Sequence, residues 1–139
     1  MMSKVVRFGV SLEKDLLQKF DARCREKKYT NRSEAIRDII RDDLVKKEWD
    51  ENKEVIGTIT LVYNHHKRQL LDHLMDVQHD YLTHILSTQH IHMDEDNCLE
   101  IIVAKGKSPI LEELYGKLKS VKGVKHGAIV ISTTGKEIV

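Results

Sequence analysis

The first fifty residues contain two kinds of hydrophobic repeat. Residues 5–12, VVRFGVSL, alternate between apolar and other side chains, which is the pattern of a half-buried β-strand. Residues 13–28 and 29–47 then repeat apolar residues at helical spacing, with charged residues on the opposite face. The apolar positions are Val6, Phe8, Val10, Leu12, Leu16, Leu17, Phe20, Cys24, Ala35, Ile36, Ile39, Ile40 and Leu44. The segment is therefore predicted to form a strand followed by two helices.

A unit of this size is too small to bury a core by itself, and its single strand has two open edges. Pairing the strand with the same strand of a second chain would solve both problems. The second helix has a clear predicted start, because Asn31 and Glu34 have the spacing of a capping box, with Asn in place of the usual Ser or Thr.

The rest of the chain alternates between strand and helix patterns. The predicted elements are a strand over 55–63, a helix over 66–82, a strand over 83–93, a strand over 98–106, a helix over 108–121 and a strand over 125–134. Pro109 lies in the first turn of the second of these helices, where proline is tolerated. The order βαββαβ is that of ferredoxin-like domains, including the small regulatory domains called ACT domains. The chain is thus predicted to be an α+β protein.

The charged segment KKEWDENKE, residues 46–54, separates the two patterns. We expect a hinged connection between a domain over residues 1–48 and a domain over residues 53–139. Residues 1–50 contain 13 Lys and Arg against 10 Asp and Glu, whereas all eight histidines lie after residue 60. The two domains are therefore expected to have different functions.

The composition, 40% hydrophobic and 32% charged, is that of a soluble globular protein. No run of eighteen apolar residues is present, and the N-terminus is too polar for the apolar region of a signal peptide. Cys24 and Cys98 lie in different halves and do not indicate a disulfide framework. We expect a cytoplasmic protein that does not associate with membranes.

Soft metal ligands are concentrated in STQHIHMDEDNCLEI, residues 87–101. His90 and His92 are two apart on a predicted strand, so they share a face with Cα atoms roughly 6.6 Å apart. The tight turn brings Cys98 back on the antiparallel neighbour, where its sulfur can approach the same ion. A fourth ligand, His79, lies near the end of the preceding helix, which places it away from its own hairpin and within reach of a neighbouring subunit. Such a set suits Zn(II), Cu(II) or Ni(II), and the spacing does not distinguish them.

The N-terminal segment resembles a ribbon-helix-helix module. In such modules a two-stranded ribbon from two chains enters the DNA major groove. The resemblance implies that Arg7, Gly9 and Ser11 face the bases, although Gly9 has no side chain where relatives commonly carry Thr or Ser. It also implies that Arg32 and Ser33, at the start of the second helix, lie near a DNA phosphate.

The order His79, His90, His92, Cys98, together with NRSEAIRD in residues 31–38 and CLEIIVAKG in residues 98–106, resembles the NikR family of nickel-responsive regulators. This resemblance implies a homotetramer, a dimer of dimers, with one square-planar Ni(II) per subunit at the tetramer interface. It also implies that three of the ligands come from one subunit and His79 from another. The implied partner is double-stranded operator DNA, and the implied targets are nickel-uptake genes.

Four further residues are candidates for auxiliary metal positions. His65 and His66 lie at a strand-to-helix junction, where a solvated turn is the alternative interpretation. Glu34 and Asp38 are one helical turn apart, and relatives use this pair for a second cation, such as potassium, between the domains. A simple exposed acidic face is the alternative for that pair.

We therefore predict that the protein is a nickel-dependent transcriptional regulator that acts as a repressor. We do not expect it to be an enzyme. A zinc metalloenzyme is disfavoured because four protein ligands would leave no open coordination position. A regulator of the ACT type that responds to amino acids would leave the four metal ligands unexplained. A non-regulatory nickel store would lack sequence-selective DNA affinity.

Overall fold

The computed structural model describes residues 4–139, so the first three residues of the predicted domain 1–48 lie outside the described residues. The chain forms two compact units. The first contains the residues up to Leu44 together with Ile138–Val139, and the second is Val45–Glu137. The chain therefore passes from one unit to the other twice.

The first unit contains helix α1, Lys14–Glu26, and the first part of helix α2, Arg32–Asp50. Both helices occupy segments predicted from the apolar spacing, and α2 extends beyond its predicted end. Asn31 caps α2, because its Oδ1 accepts a hydrogen bond from the backbone N–H of Glu34 at 2.9 Å. The Glu34 carboxylate pairs with Arg37, so only one half of the predicted capping box forms.

The predicted first strand does not form in the described single chain, where residues 4–12 are neither helix nor strand and are exposed. A strand requires hydrogen bonds to a neighbouring strand, and the expected neighbour belongs to a second chain. The apolar face predicted to be buried on α2 is also open in the single chain, with Ile39 58% and Ile40 49% exposed. The first unit thus presents apolar side chains that it cannot bury by itself.

The second unit is an antiparallel sheet with two helices. Its elements are strand β1, Glu54–Asn64; helix α3, Arg68–Asp80; strand β2, Ile85–His92; strand β3, Asn97–Lys107; helix α4, Ser108–Lys119; and strand β4, Val124–Ser132. The spatial order of the strands is β2-β3-β1-β4. This architecture confirms the predicted α+β class and the ferredoxin-like βαββαβ order. No helix in residues 4–139 combines the length and the hydropathy that a membrane crossing requires.

Alternation along the two central strands defines the core of the second unit. Alternate residues of β1 from Val55 to Tyr63 and of β3 from Cys98 to Ala104 are buried. Apart from Gly57 and Glu100, they form one hydrophobic cluster with residues of both helices, which are Leu70, Leu74, Leu111, Leu114 and Leu118. Helices α3 and α4 therefore cover the face of the sheet to which Cys98 belongs.

Candidate metal centre

The hairpin of β2 and β3 places the three clustered ligand candidates on one face of the sheet. His92 lies opposite Cys98 in the strand pairing, and His90 lies opposite Glu100. The turn between the strands is held by Asp94, whose Oδ1 accepts hydrogen bonds from the backbone N–H groups of residues 96 and 97. The predicted hairpin pairing is therefore confirmed, and its ligand candidates lie on the face that the helices cover.

A cavity of about 680 Å³ adjoins this face. All four ligand candidates, His79, His90, His92 and Cys98, contribute to its lining. The apolar part of the lining comes from α3, from the turn that follows it and from the start of β2, and consists of Leu71, Leu74, Met75, Leu82 and Ile85. Although the helix end was expected to hold His79 away from its own hairpin, the structure places His79 at the same cavity as the hairpin ligands.

The four candidates share the cavity, yet no three His, Cys, Asp or Glu side chains within residues 4–139 converge closely enough to hold a metal ion. Their chemistry nevertheless fits a borderline or soft divalent ion, because a thiol and several imidazoles are the donors that nickel, copper and zinc prefer. Cys98 is buried and free of any disulfide. The single chain thus supplies the right donors in one region without completing a coordination shell.

A buried carboxylate lies beside His90. Glu100 is 1% exposed, and its two oxygens accept hydrogen bonds from the Tyr63 hydroxyl at 3.2 Å and from the Gln78 side-chain amide at 2.9 Å. Its Oε1 is also 3.1 Å from Nε2 of His90. Burial, followed by the negative charge of Glu100, raises the pKa of Tyr63 well above its usual value, so the hydroxyl stays protonated and can donate. The carboxylate is therefore placed to orient His90 through its ring nitrogen.

The group formed by Tyr63, Gln78 and Glu100 was not predicted from the sequence. A signal was present, because Glu100 occupies a position in the alternation of β3 between the buried residues Cys98 and Ile102. A charged residue on an apolar face requires partners, and this requirement marks it as functional or as part of a polar network.

His65 and His66 lie together and next to the candidate ligand His92. Their ring centroids are 4.1 Å apart, and the His65 ring is 4.7 Å from that of His92. Each has Nε2 within 2.9 Å of the carbonyl oxygen of Glu95. Nε2 of His66 is also 3.7 Å from a carboxylate oxygen of Asp96. These two histidines are thus held against the hairpin turn by hydrogen bonds.

The other auxiliary candidates, Glu34 and Asp38, already have partners within the first unit. Glu34 pairs with Arg37. Asp38 accepts a hydrogen bond from the Tyr29 hydroxyl at 2.7 Å and lies 3.6 Å from Arg41. A cation bound by this pair would have to compete with both arginines.

The residues implied in DNA contact fall into two groups. Arg7, Gly9 and Ser11 lie in the exposed segment 4–12, and a Cβ added at Gly9 would meet no atom within 4 Å. Ser33 lies in the first turn of α2.

The second of these groups also includes Arg32, which does not project as an isolated positive charge. Its Nε and Nη2 each donate to the Asp21 carboxylate at 2.8 Å. The hydrogen bond from Arg32 is the main reason that the pKa of Asp21 lies below its usual value. This ion pair joins α1 to the start of α2 and neutralises charge where a phosphate contact was expected.

Comparison with known proteins gives consistent matches along the chain. The family model described as the NikR C terminal nickel binding domain matches residues 56–132, and the model for ribbon-helix-helix proteins of the copG family matches residues 6–47. A nickel-responsive regulator of Syntrophus aciditrophicus is 54% identical over 97% of this chain and 98% of its own length. One from Thermococcus kodakarensis is 53% identical over 98% of this chain and 99% of its own length.

Among solved structures, an uncharacterised protein of Thermotoga maritima matches with a TM-score of 0.52 at 19% identity. The match covers 57% of this chain and 98% of that protein, and it supports the fold alone. The whole-length relatives, in contrast, carry the name of regulators and not of enzymes. The chain therefore belongs to the NikR family of nickel-responsive regulators, with a ribbon-helix-helix domain followed by a nickel-binding domain.

Proposed function

We propose that the protein is a nickel-dependent transcriptional repressor, which binds operator DNA when Ni(II) occupies one site per subunit. Nickel-uptake genes are the proposed targets, and the cytoplasm is the proposed compartment. One observation carries the proposal: the hairpin donors His90, His92 and Cys98 line a single cavity within the segment that matches the nickel-binding domain.

In the proposed site, His90, His92 and Cys98 come from one subunit and His79 from another. The strand pairing supports the first part, because it fixes the three hairpin residues on one face. The second part rests on the resemblance to the NikR family. The bound ion would supply a crosslink between α3 of one subunit and the hairpin of another.

The proposed assembly is a homotetramer built from two dimers. Within each dimer, the N-terminal segments pair as a ribbon, which would cover apolar side chains such as Val6 and Phe8, now 77% and 70% exposed. The second units would then join the dimers around the metal sites. Leu82, Met75 and Ile91, near the ligands in the chain, are exposed and available for such contacts.

In the proposed DNA complex, Arg7 and Ser11 of the ribbon read base edges in the major groove. Gly9 has no side chain to contact the bases, and it lets the backbone approach them closely. Ser33 and the free backbone N–H groups at the start of α2 bind a phosphate. Arg32 is held by Asp21, so its contribution is to fix this helix start more than to add a free charge.

Metal binding can control DNA binding only if the arrangement of the protein that binds DNA and the arrangement that does not differ in their affinity for nickel. Ordering of the shared site supplies that difference, because the site exists only when two subunits are correctly placed. A coupling of roughly 3 kcal/mol would change operator affinity on the order of 150-fold.

The proposal predicts that nickel increases the affinity of the protein for an operator fragment by a factor on the order of 5 to 150. The measurement is a fluorescence anisotropy titration of labelled DNA at fixed salt, with and without Ni(II). Magnesium at the same concentration is the control for general screening. Equal operator affinity with and without nickel would exclude the nickel-dependent mechanism.

Sharing of the site between subunits predicts complementation between two inactive variants. His79→Ala and Cys98→Ser should each bind nickel weakly as a homo-oligomer. When the two are unfolded, mixed and refolded together, hybrid assemblies should regain high-affinity sites, since an intact hairpin can meet an intact His79 from another chain. Nickel stoichiometry by absorption measures the regain. If all four ligands came from one chain, mixing would restore nothing.

A further inference from the structure

Helix α2 begins in the first unit and ends in the second, because the boundary between the units falls between Leu44 and Val45. The chain returns to the first unit after strand β4, at Ile138. Two segments therefore connect the units: the C-terminal part of α2 and the residues that follow β4. Within one chain, these segments are where the backbone passes from one unit to the other.

Trp49, the single tryptophan of the sequence, lies in the last turn of α2 and ties these segments to each other. It is 6% exposed, and its indole N–H donates to the carbonyl oxygen of Ser132, the last residue of β4, at 2.8 Å. The neighbouring Glu48 accepts a hydrogen bond from the Thr133 hydroxyl at 2.7 Å. The two segments are thus bonded to each other inside the second unit, a few residues from each boundary with the first.

The backbone of Trp49 is also fixed to the second unit. Its carbonyl oxygen, at the open end of the helix, accepts a hydrogen bond from the hydroxyl of Ser108 at 2.6 Å. Ser108 is buried and is the first residue of α4. The indole lies over β1 at Gly57, where an added Cβ would come within 3.3 Å of the ring. Side chain and backbone of Trp49 are therefore both held by the second unit.

Strand β3 leads from the candidate metal centre to this attachment. Cys98 and Glu100 lie near its beginning, and it ends at Lys107, directly before Ser108. The strand is paired on both sides, with β2 and with β1. Strand β3 therefore connects the hairpin directly to the residue that holds the Trp49 carbonyl.

We propose that Trp49 is a positioning residue for the regulatory response: by bonding the end of α2 to Ser132 and Ser108, it makes the two connecting segments move with the nickel-binding unit. This inference rests on the proposed function and adds the element that carries the signal. A loosely attached helix end would let nickel bind without redirecting the ribbon. Trp49 is outside the sets of residues proposed to bind DNA and nickel, so its proposed effect comes from the connection alone.

The test is the nickel-dependent gain in operator affinity, measured by anisotropy for the whole protein and for Trp49→Phe. This substitution keeps an aromatic ring and removes the indole N–H donor. We expect the gain to fall at least about fivefold, while nickel affinity without DNA stays at the wild-type value. By reciprocity, added operator DNA should then tighten nickel binding less in Trp49→Phe than in the wild type.

Tyr115→Phe is the matched control. The Tyr115 hydroxyl donates to the carbonyl oxygen of Gly127 at 3.0 Å, which is a similar bond inside the second unit and away from the connecting segments. We expect this variant to keep the wild-type gain. The inference would be overturned if Trp49→Phe kept the wild-type gain in operator affinity, or if Tyr115→Phe lost as much of that gain. It would also be overturned if Trp49→Phe bound nickel more weakly than the wild type without DNA. Absence of any gain in the wild type would instead refute the proposed function itself.

Discussion

Replacement of Cys98 by Ser is expected to lower nickel affinity by more than about 100-fold, since loss of an outer partner of a ligand already costs 10- to 100-fold. The thiolate is the softest donor among the four candidates, and a hydroxyl is a poor substitute for it at neutral pH. Equilibrium competition with a chelator measures the affinity. The sulfur-to-nickel absorption band should disappear with it.

The chain provides a matched control in its other cysteine. Cys24 is also buried and free, but it lies on α1 in the first unit. Cys24→Ser should therefore keep the absorption band and the nickel affinity. If both variants kept them, the metal would lie elsewhere. If both lost them, the loss would reflect damage to the fold and not removal of a ligand.

The second unit could be predicted closely from sequence because its two central strands and both of its helices bury a face within the same chain. Alternation in β1 and β3 and helical spacing in α3 and α4 reflect burial that the unit completes by itself. Pro109 marked the start of α4 in the same way. Local pattern and tertiary contact therefore point to the same structure here.

The first unit behaves differently. Val6, Phe8 and Ile39 have the pattern of buried residues and are exposed in the single chain. Sequence records the surface that is buried in the functional assembly, whereas one chain can bury only what it covers itself. In the proposed dimer, a second chain would both pair with residues 5–12 and cover the open face of α2.

Within the candidate site, the hairpin geometry followed from spacing, because the strand period and a tight turn determine which residues face each other. The position of His79 could not be predicted from spacing, because it depends on how α3 packs against the sheet. The partners of Glu100 were also beyond sequence reasoning, since Tyr63 and Gln78 reach it from other elements. Contacts between segments that are distant in sequence can be predicted only when the fold is known.

Substitution of Glu100 by Gln tests the part of the site that only the structure revealed. The carboxylate accepts bonds from Tyr63 and Gln78 and faces a ring nitrogen of His90, so a neutral amide would have to turn an N–H₂ group toward one of these donors. We expect nickel affinity to fall by about 10- to 100-fold, as for other outer partners of metal ligands. Chelator competition measures the change.

The control is Glu54→Gln on strand β1, whose carboxylate is exposed and lies 3.4 Å from Lys105. An exposed ion pair contributes little, so this variant should bind nickel as the wild type does. A double-mutant cycle with Tyr63→Phe then separates orientation from simple stability, because residues of one network give non-additive losses in nickel affinity. Additive losses, or wild-type nickel affinity in Glu100→Gln, would mean that the buried carboxylate serves the fold and not the metal centre.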